Sequence, residues 1–277
     1  MTKYNKIRQE YEVMTLGEHL DALRGIIVKS LLTLTVISIV YFYYSDELFS
    51  LFILSPANGD APVYKISDFI EALFSNSIKE TESYKLNLIN INIAAPLFIQ
   101  MGASLLSALL TIFPYIIYLI WTFLAPALYS SEKKGVKQAF MFSSLLFYLG
   151  AATGYFLLFP ITLRFLTTVQ IAEIPNTITL QSYMSLFWTL IFIMGAAFEL
   201  PILTWLLAKI GIIKPVFFSK YRKYAIVIIL IAAAVITPTP DPFTMMAVFI
   251  PLYILYETSA IIVTKTVTGS KKATKTL

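Results

Sequence analysis

Glu199 carries the most informative reactive group in the sequence. It is the one side chain charged at neutral pH between Glu173 and Lys209, and it lies inside an apolar stretch. A carboxylate at membrane depth normally faces a partner or a water-filled cavity, so Glu199 could hold a proton or exchange hydrogen bonds. It could also be bound within its own helices by Thr204 or by a backbone carbonyl that Pro201 leaves open.

The sequence around Glu199 can carry its charge into a bilayer. Residues 186–207 contain about a dozen Leu, Ile and Phe, each favouring insertion by about 0.3–0.6 kcal/mol, against a penalty of about 3 kcal/mol for one central acid. Insertion is therefore allowed, but something other than lipid must solvate the carboxylate.

Three more carboxylates could bind cations from outside the membrane. Glu132 follows the segment Ala125-Pro-Ala-Leu-Tyr, and Glu18 and Asp21 lie in a polar N-terminal segment that is amphipathic at helical spacing. Glu132 could equally be a solvated loop residue, and the N-terminal acids could simply pair with Arg24 or Lys29.

The composition excludes several classes of chemistry. The chain is 58% hydrophobic and 13% charged, whereas a soluble domain is about 25% charged. It has no cysteine and one histidine, His19, so we expect no metal site, no catalytic residues and no cofactor. No glycine-rich nucleotide-binding loop is present. The net charge of +5 is explained by loop charges, so we expect no nucleic-acid partner.

Apolar runs long enough to cross about 30 Å of hydrocarbon predict an all-α polytopic membrane protein with six transmembrane helices. The fifth is short, about 13 residues before Pro238, and a short sixth span stays open as well. The six predicted spans are Ile26–Tyr44, Ile93–Leu119, Ala139–Leu163, Tyr183–Ala208, Ala225–Thr237 and Phe243–Val263.

The basic residues predict the orientation. If loops alternate between the two sides, 17 of the 21 Lys and Arg residues fall on one side, and only Lys65, Lys79, Lys85 and Arg164 fall on the other. The positive-inside rule then places both termini in the cytoplasm.

The pattern predicts a single six-helix membrane domain, residues 1–264. No apolar core precedes Arg24, so we expect the first span to remain as a permanent anchor. The external loop 45–92 has a short helix pattern at Ser67–Phe74 that would lie on the membrane surface. We expect the basic tail, residues 265–277, to be disordered and close to anionic lipid headgroups.

Two further patterns have structural interpretations. The segment Thr237-Pro-Thr-Pro-Asp-Pro242 predicts a stiff extended turn, because its prolines deny a helix. Gly150 and Gly154 form a small-xxx-small pattern, which favours close helix packing but is weakly specific.

Taken in order, several segments of the chain resemble the TatC subunit of the twin-arginine protein translocase. The resemblance runs from about Leu16 to Val263, and the set of motifs is far more specific than any one of them. The motifs are His19-Leu-Asp-Ala-Leu-Arg24, Ala125-Pro-Ala-Leu-Tyr-(x2)-Glu132, Tyr155-Phe156 with Phe159-Pro160, Phe198-Glu199-Leu-Pro201, Arg222-Lys-Tyr, Thr237-Pro-Thr-Pro-Asp241, Pro251 and Tyr256-Glu257.

The resemblance implies a receptor in the bacterial inner membrane rather than an enzyme. It would bind twin-arginine signal peptides of folded cargo at its cytoplasmic surface. Export would be driven by the proton-motive force, in an oligomeric complex with single-span TatA/TatB-type proteins.

The resemblance also implies roles for particular residues. Glu132, with Asp21 or Glu18, would contact the arginine pair, and Glu199 would meet a polar residue on a partner's membrane helix. Turn positions with structural or functional roles would be Pro126, Pro201, Pro238 and Asp241.

One departure from the family pattern bears on these roles. The family usually has a glutamate directly before the Leu-Arg pair of the N-terminal motif, where this chain has Ala22 and carries its acid at Asp21. On a helix this moves the carboxylate by about 100 degrees around the axis.

The alternative from another functional class is a proton- or ion-coupled secondary transporter with Glu199 as its proton site. The sequence shows no second buried charge for a relay, no repeat symmetry and no pair of broken half-helices, which disfavours that class.

Overall fold

The computed structural model describes residues 16–57, 86–125, 130–168, 177–237 and 242–275. Their contacts group into two compact units. Unit 1 contains residues 16–44, 101–125 and 130–145, and unit 2 contains the rest of the described chain.

Unit 1 is built from α1 (Leu16–Tyr43), most of α3 (Ala95–Leu124) and the first part of α4 (Ser130–Thr153). His19 contacts Phe123 near one end of α1, and the Tyr41 hydroxyl lies 2.8 Å from Thr111 Oγ1 near the other. Because the two contacts run in opposite chain directions, α1 and α3 are antiparallel. Trp121 of α3 meets Phe140 of α4 with ring centroids 5.7 Å apart.

The first helix shows why lipid is the solvent of this fold. None of the 18 most apolar consecutive residues of α1 is buried, and Leu20, Leu32 and Ile39 are each more than 60% exposed. In water such a surface would drive aggregation, whereas a membrane span is expected to be apolar on its outward faces.

Unit 2 begins with a compact segment that follows the first span. It consists of a helical turn α2 (Ser45–Leu48), a π-helical turn (Phe49–Ile53) and a 3₁₀ turn (Ser55–Ala57). The short strand β1 (Leu88–Ile89) then pairs in parallel with β2 (Ile178–Thr179), in the register Leu88 to Ile178.

The remaining helices of unit 2 form its core. The third span continues from α4 through a π-helical turn (Gly154–Leu158) into α5 (Phe159–Thr168). The fourth span is divided into α6 (Leu180–Ala197) and α7 (Leu200–Lys209), and it is followed by α8 (Pro215–Ile236) and α9 (Pro242–Lys275). The largest fully buried side chains include Tyr183, Phe159 and Phe187.

Five helical stretches are long and apolar enough to cross a membrane within the described ranges. They are Gly17–Tyr43, Ala95–Leu124, Gly135–Thr167, Leu180–Lys209 and Thr244–Lys265. They match five of the six predicted spans.

The fifth predicted span, Ala225–Thr237, is the exception. It lies in α8, which has 22 residues but includes Lys220, Arg222 and Lys223 near its start. Length is therefore sufficient, and the charges are what separate α8 from the five apolar helices.

The tail differs from the expectation of disorder. The backbone of α9 continues to Lys275, beyond the predicted end of the sixth span at Val263. No proline interrupts the chain after Pro251, so no residue of the tail lacks the backbone N–H that the helical ladder requires. The predicted surface helix at residues 67–74 lies outside the described residues.

Candidate functional site

Glu199 occupies a break in the fourth span. The helix α6 ends at Ala197 and α7 begins at Leu200, with Glu199 as the residue that precedes α7. Pro201 has no N–H to donate to the helical ladder. The Glu199 N–H donates to Ala196 O at 3.1 Å, three residues earlier rather than the four of a regular α-helix. The carboxylate is thus carried by a backbone that departs from a regular helix.

The side chain of Glu199 is partly buried, and its Oε1 atom is enclosed by protein. Thr204 is not its partner, because the Thr204 hydroxyl is directed to the backbone oxygens of Leu200 and Pro201 at 2.8 and 3.1 Å. The Thr204 version of the bundle interpretation is therefore wrong. At low dielectric the Glu199 carboxyl group can accept a hydrogen bond when it is ionised and donate one when it is protonated.

Three glycines allow the third and fourth spans to pack closely near this break. They are Gly150, Gly154 and Gly195, and we call them the glycine seam. A Cβ added at Gly154 would lie 2.7 Å from Leu190 O, and one at Gly150 would overlap Met194 O. A Cβ at Gly195 would lie 2.7 Å from the Phe147 ring. The small-xxx-small pattern of Gly150 and Gly154 therefore marks real backbone contact. The contacted residues of the fourth span, 190–195, precede Glu199.

An aromatic cluster holds the other end of α6. Tyr155, Phe159, Tyr183 and Phe187 pack edge to face or stacked, with ring centroids 5.1–6.3 Å apart. The hydroxyls of Tyr155 and Tyr183 donate to Phe52 O and Ile53 O at 3.0 and 2.6 Å. The segment after the first span is thereby tied to the third and fourth spans, as buried tyrosines require a polar partner.

The N-terminal acids lie on the exposed face of α1. Glu18 and Asp21 are both exposed, whereas His19 and Ala22 are partly buried. His19 stacks on Phe123 with ring centroids 4.1 Å apart, so the two acids point away from the face that meets α3. Ala22, where the family usually has glutamate, lies on the more enclosed side with His19.

Several predicted positions have less structural detail. Glu132 lies in the first turn of α4 rather than in a loop, which is a favourable place for an acid because of the helix dipole; its side chain lies outside the described part of the structure. Pro126, Pro238 and Asp241 also lie outside the described residues, whereas Pro201 is buried at the start of α7.

Sequence reasoning missed one polar contact within the membrane helices. Glu257 of α9 accepts a hydrogen bond from Arg222 Nη2 at 2.7 Å and another from the Tyr253 hydroxyl at 2.8 Å. Glu257 is therefore a second acid inside a predicted span, although its side chain is 27% exposed rather than buried. Its position within Phe243–Val263 could have revealed it, because a charge in a span normally has a partner.

The described residues contain no group of three or more His, Cys, Asp or Glu side chains placed to hold a metal ion. The polar groups brought together in each unit are suited to hydrogen bonding and ion pairing.

Long apolar helices, together with a carboxylate at a helix break, define a polytopic helical membrane protein with an intramembrane polar site. Residues 18–251 match the profile of the family "Sec-independent protein translocase protein (TatC)". The chain belongs to the TatC family. It is a component of a Sec-independent protein translocase and a multi-pass protein of the bacterial inner membrane.

Individual relatives agree with this assignment. The TatC protein of Aquifex aeolicus is 34% identical over 261 residues, covering 94% of this chain and 98% of the relative. That of a Blattabacterium is 33% identical over 91% of this chain and 96% of its own length. That of Halothiobacillus neapolitanus is 31% identical over 86% of this chain, which spans only 59% of the longer relative.

Two solved structures have the same fold. A crystal structure of the twin arginine translocase receptor TatC is 31% identical, with a TM-score of 0.68, and covers 89% of this chain and 98% of that one. A second, in the detergent DDM, has a TM-score of 0.70 and covers 88% of this chain.

Proposed function

We propose that this chain is the signal-peptide receptor and core subunit of a twin-arginine translocase, which exports folded proteins using the proton-motive force. The observation that carries the proposal is the pair of exposed acids Glu18 and Asp21 on α1, in a chain of the TatC family. The relatives of known structure are described as twin arginine translocase receptors.

The chemistry of the ligand suits these acids. An arginine is always charged and presents a planar fork of donors, which a carboxylate can accept through two parallel hydrogen bonds. The stacking of His19 on Phe123 supports a fixed outward direction for the neighbouring acids. Glu132, in the first turn of α4, is the third proposed contact to the arginine pair.

The receptor surface is cytoplasmic under the proposed topology. We propose that α8 crosses the membrane as the short fifth of six spans, because an odd number of spans would destroy the separation of 17 basic residues from 4. Both termini then lie in the cytoplasm, and the loop 45–92 lies outside.

Glu199 is proposed to serve a different partner. Its position at a helix break favours exchange of a hydrogen bond with a polar residue on a single-span TatA/TatB-type protein. Pro201 is proposed to sustain that break. Pro126 is proposed to shape the turn between the second and third spans, and Pro238 and Asp241 the turn between the fifth and sixth. The complex would contain more than one copy of this chain.

The test is a pull-down with the full chain in detergent. A folded reporter with a twin-arginine signal is compared with the same reporter carrying two lysines, which keep the charge but lose the forked geometry. We expect recovery to fall by about tenfold or more with lysines, equivalent to about 1.4 kcal/mol. Equal recovery would instead favour the transporter alternative.

A further inference from the structure

The segment that joins the fourth span to α8 has an unusual charge pattern. Residues 209–224 contain five basic side chains and no acid. Glu257 of α9 pairs with Arg222, so the excess of positive charge resides on the lysines at 209, 214, 220 and 223. We call this segment the basic collar.

The backbone of the basic collar turns sharply before α8 begins. Gly211 has φ of 85°, the left-handed region that glycine adopts without strain. The Ile212 N–H bonds to Leu207 O at 2.9 Å and the Gly211 N–H bonds to Ala208 O at 3.1 Å, which is the bond pattern of a Schellman motif. The chain therefore leaves α7 abruptly and enters α8 within a few residues.

Large apolar side chains of the collar are left uncovered by the protein. Their exposed fractions run from 39% to 68%. These side chains are Ile210, Ile212, Val216, Phe217, Tyr221 and Tyr224.

The lysines lie among aromatic rings. Lys209 Nζ lies 5.1 Å from the centroid of the Trp205 ring, and Lys220 Nζ lies 5.6 Å from that of Tyr221. Aromatic side chains next to lysines are typical of the boundary between hydrocarbon and headgroups. Lys214, Lys220 and Lys223 are exposed, so their ammonium groups can reach a ligand.

The apolar part of α8 is short, and this places the collar at that boundary. Its apolar part, Tyr224 to Ile236, covers about 20 Å at 1.5 Å per residue, short of the roughly 30 Å of a bilayer core. The start of α8 is held to α9, because the Tyr256 hydroxyl donates to Phe218 O at 2.9 Å and Arg222 pairs with Glu257. The collar thus cannot move freely away from the membrane surface.

We propose that the basic collar is a binding surface for anionic phospholipid. The ammonium groups of Lys214, Lys220 and Lys223 pair with headgroup phosphates, while the exposed aliphatic and aromatic side chains enter the interfacial layer. Occupancy by anionic lipid then sets the depth at which the short helix α8 lies. This surface consists of different residues from the proposed signal-peptide contacts, so its test needs no signal peptide.

The test titrates phosphatidylglycerol or phosphatidylcholine into the full-length protein in detergent and counts bound lipids by native mass spectrometry. The variant K214Q/K220Q/K223Q is compared with K65Q/K79Q/K85Q, which removes the same charge from the external loop 45–92. We expect the dissociation constant for phosphatidylglycerol to rise by about tenfold or more in the collar variant and by less than about twofold in the loop variant.

Three controls keep the outcome decisive. The variant K214R/K220R/K223R keeps the charge and should bind as the parent does, and each variant is checked for a single sharp peak in size-exclusion chromatography. Soluble glycerol phosphate should compete poorly, because it lacks acyl chains. Equal losses in the collar and loop variants, equal binding of the two lipids, or full competition by glycerol phosphate would each overturn the proposal.

Discussion

The proposed functional carboxylates of unit 1 and unit 2 occupy different environments. In unit 1, Glu18 and Asp21 are exposed on the regular helix α1. In unit 2, Glu199 is partly buried at a break between α6 and α7, next to backbone contacts made by glycine. Exposed acids on a continuous helix can change without disturbing the fold, whereas the position of Glu199 depends on close packing.

This contrast suggests a division of labour. Solvent-exposed acids can meet a charged ligand that arrives from water, at modest cost in desolvation. A carboxylate at membrane depth is suited to a partner that is already in the membrane, since lipid cannot solvate it. Four experiments, from the largest expected effect to the smallest, test the contrast.

The glycine seam is expected to give the largest effect. The substitution Gly154→Ala places a Cβ 2.7 Å from Leu190 O, and we expect a loss of about 1–3 kcal/mol or more of stability from overpacking. The measurement is thermal unfolding in detergent. Gly102→Ala is the matched control, because a Cβ there meets nothing within 4 Å. Equal stability of the two variants would show that the seam does not determine the packing around Glu199.

Removing the acids of unit 1 should weaken ligand binding without unfolding the protein. For Asp21→Ala with Glu132→Ala, the loss of two ion pairs worth up to about 1 kcal/mol each should lower signal-peptide affinity by about tenfold. Crosslinking of a labelled twin-arginine peptide measures the affinity. Asp46→Ala with Glu47→Ala removes two exposed acids of unit 2 and should have no effect. Undiminished crosslinking to the first variant would break the comparison.

Replacing Glu199 should affect export rather than insertion. We expect Glu199→Ala to insert at the normal level and to export a folded twin-arginine reporter about fivefold or more slowly, as loss of one polar contact worth about 1 kcal/mol implies. Glu199→Gln retains a hydrogen-bonding group and should keep more of the activity. Normal export by the alanine variant would remove the proposed role, and failure of insertion would show a structural one.

The Arg222–Glu257 pair should give the smallest effect. Arg222 is 54% exposed and Glu257 is 27% exposed, so the ion pair is screened, and we expect Arg222→Gln to cost at most about 1 kcal/mol of stability. A double-mutant cycle with Glu257→Gln measures the coupling. A coupling well above that value would mean that unit 2 contains a second carboxylate as constrained as Glu199.

Much of the candidate site could be predicted from the types of residue and their order along the chain. The isolation of Glu199 among apolar residues marked it without any structure, and five of the six predicted spans coincide with apolar helices. Gly150 and Gly154 form the close packing contact that their spacing predicts. Other features were not predicted: Glu132 lies in the first turn of α4 rather than in a loop, and α9 continues through the predicted tail.

By itself, the sequence determined the membrane class, the places where the chain can cross the bilayer, and the acids available for function. Those properties follow from composition and from the length and charge of apolar segments. Insertion of a segment into a membrane depends on its own residues rather than on distant contacts. Only the tertiary structure decided that His19 stacks on Phe123, that Gly154 touches Leu190, and that Arg222 pairs with Glu257. These contacts join residues far apart in the chain, and periodicity specifies which face a helix buries but not which partner covers it.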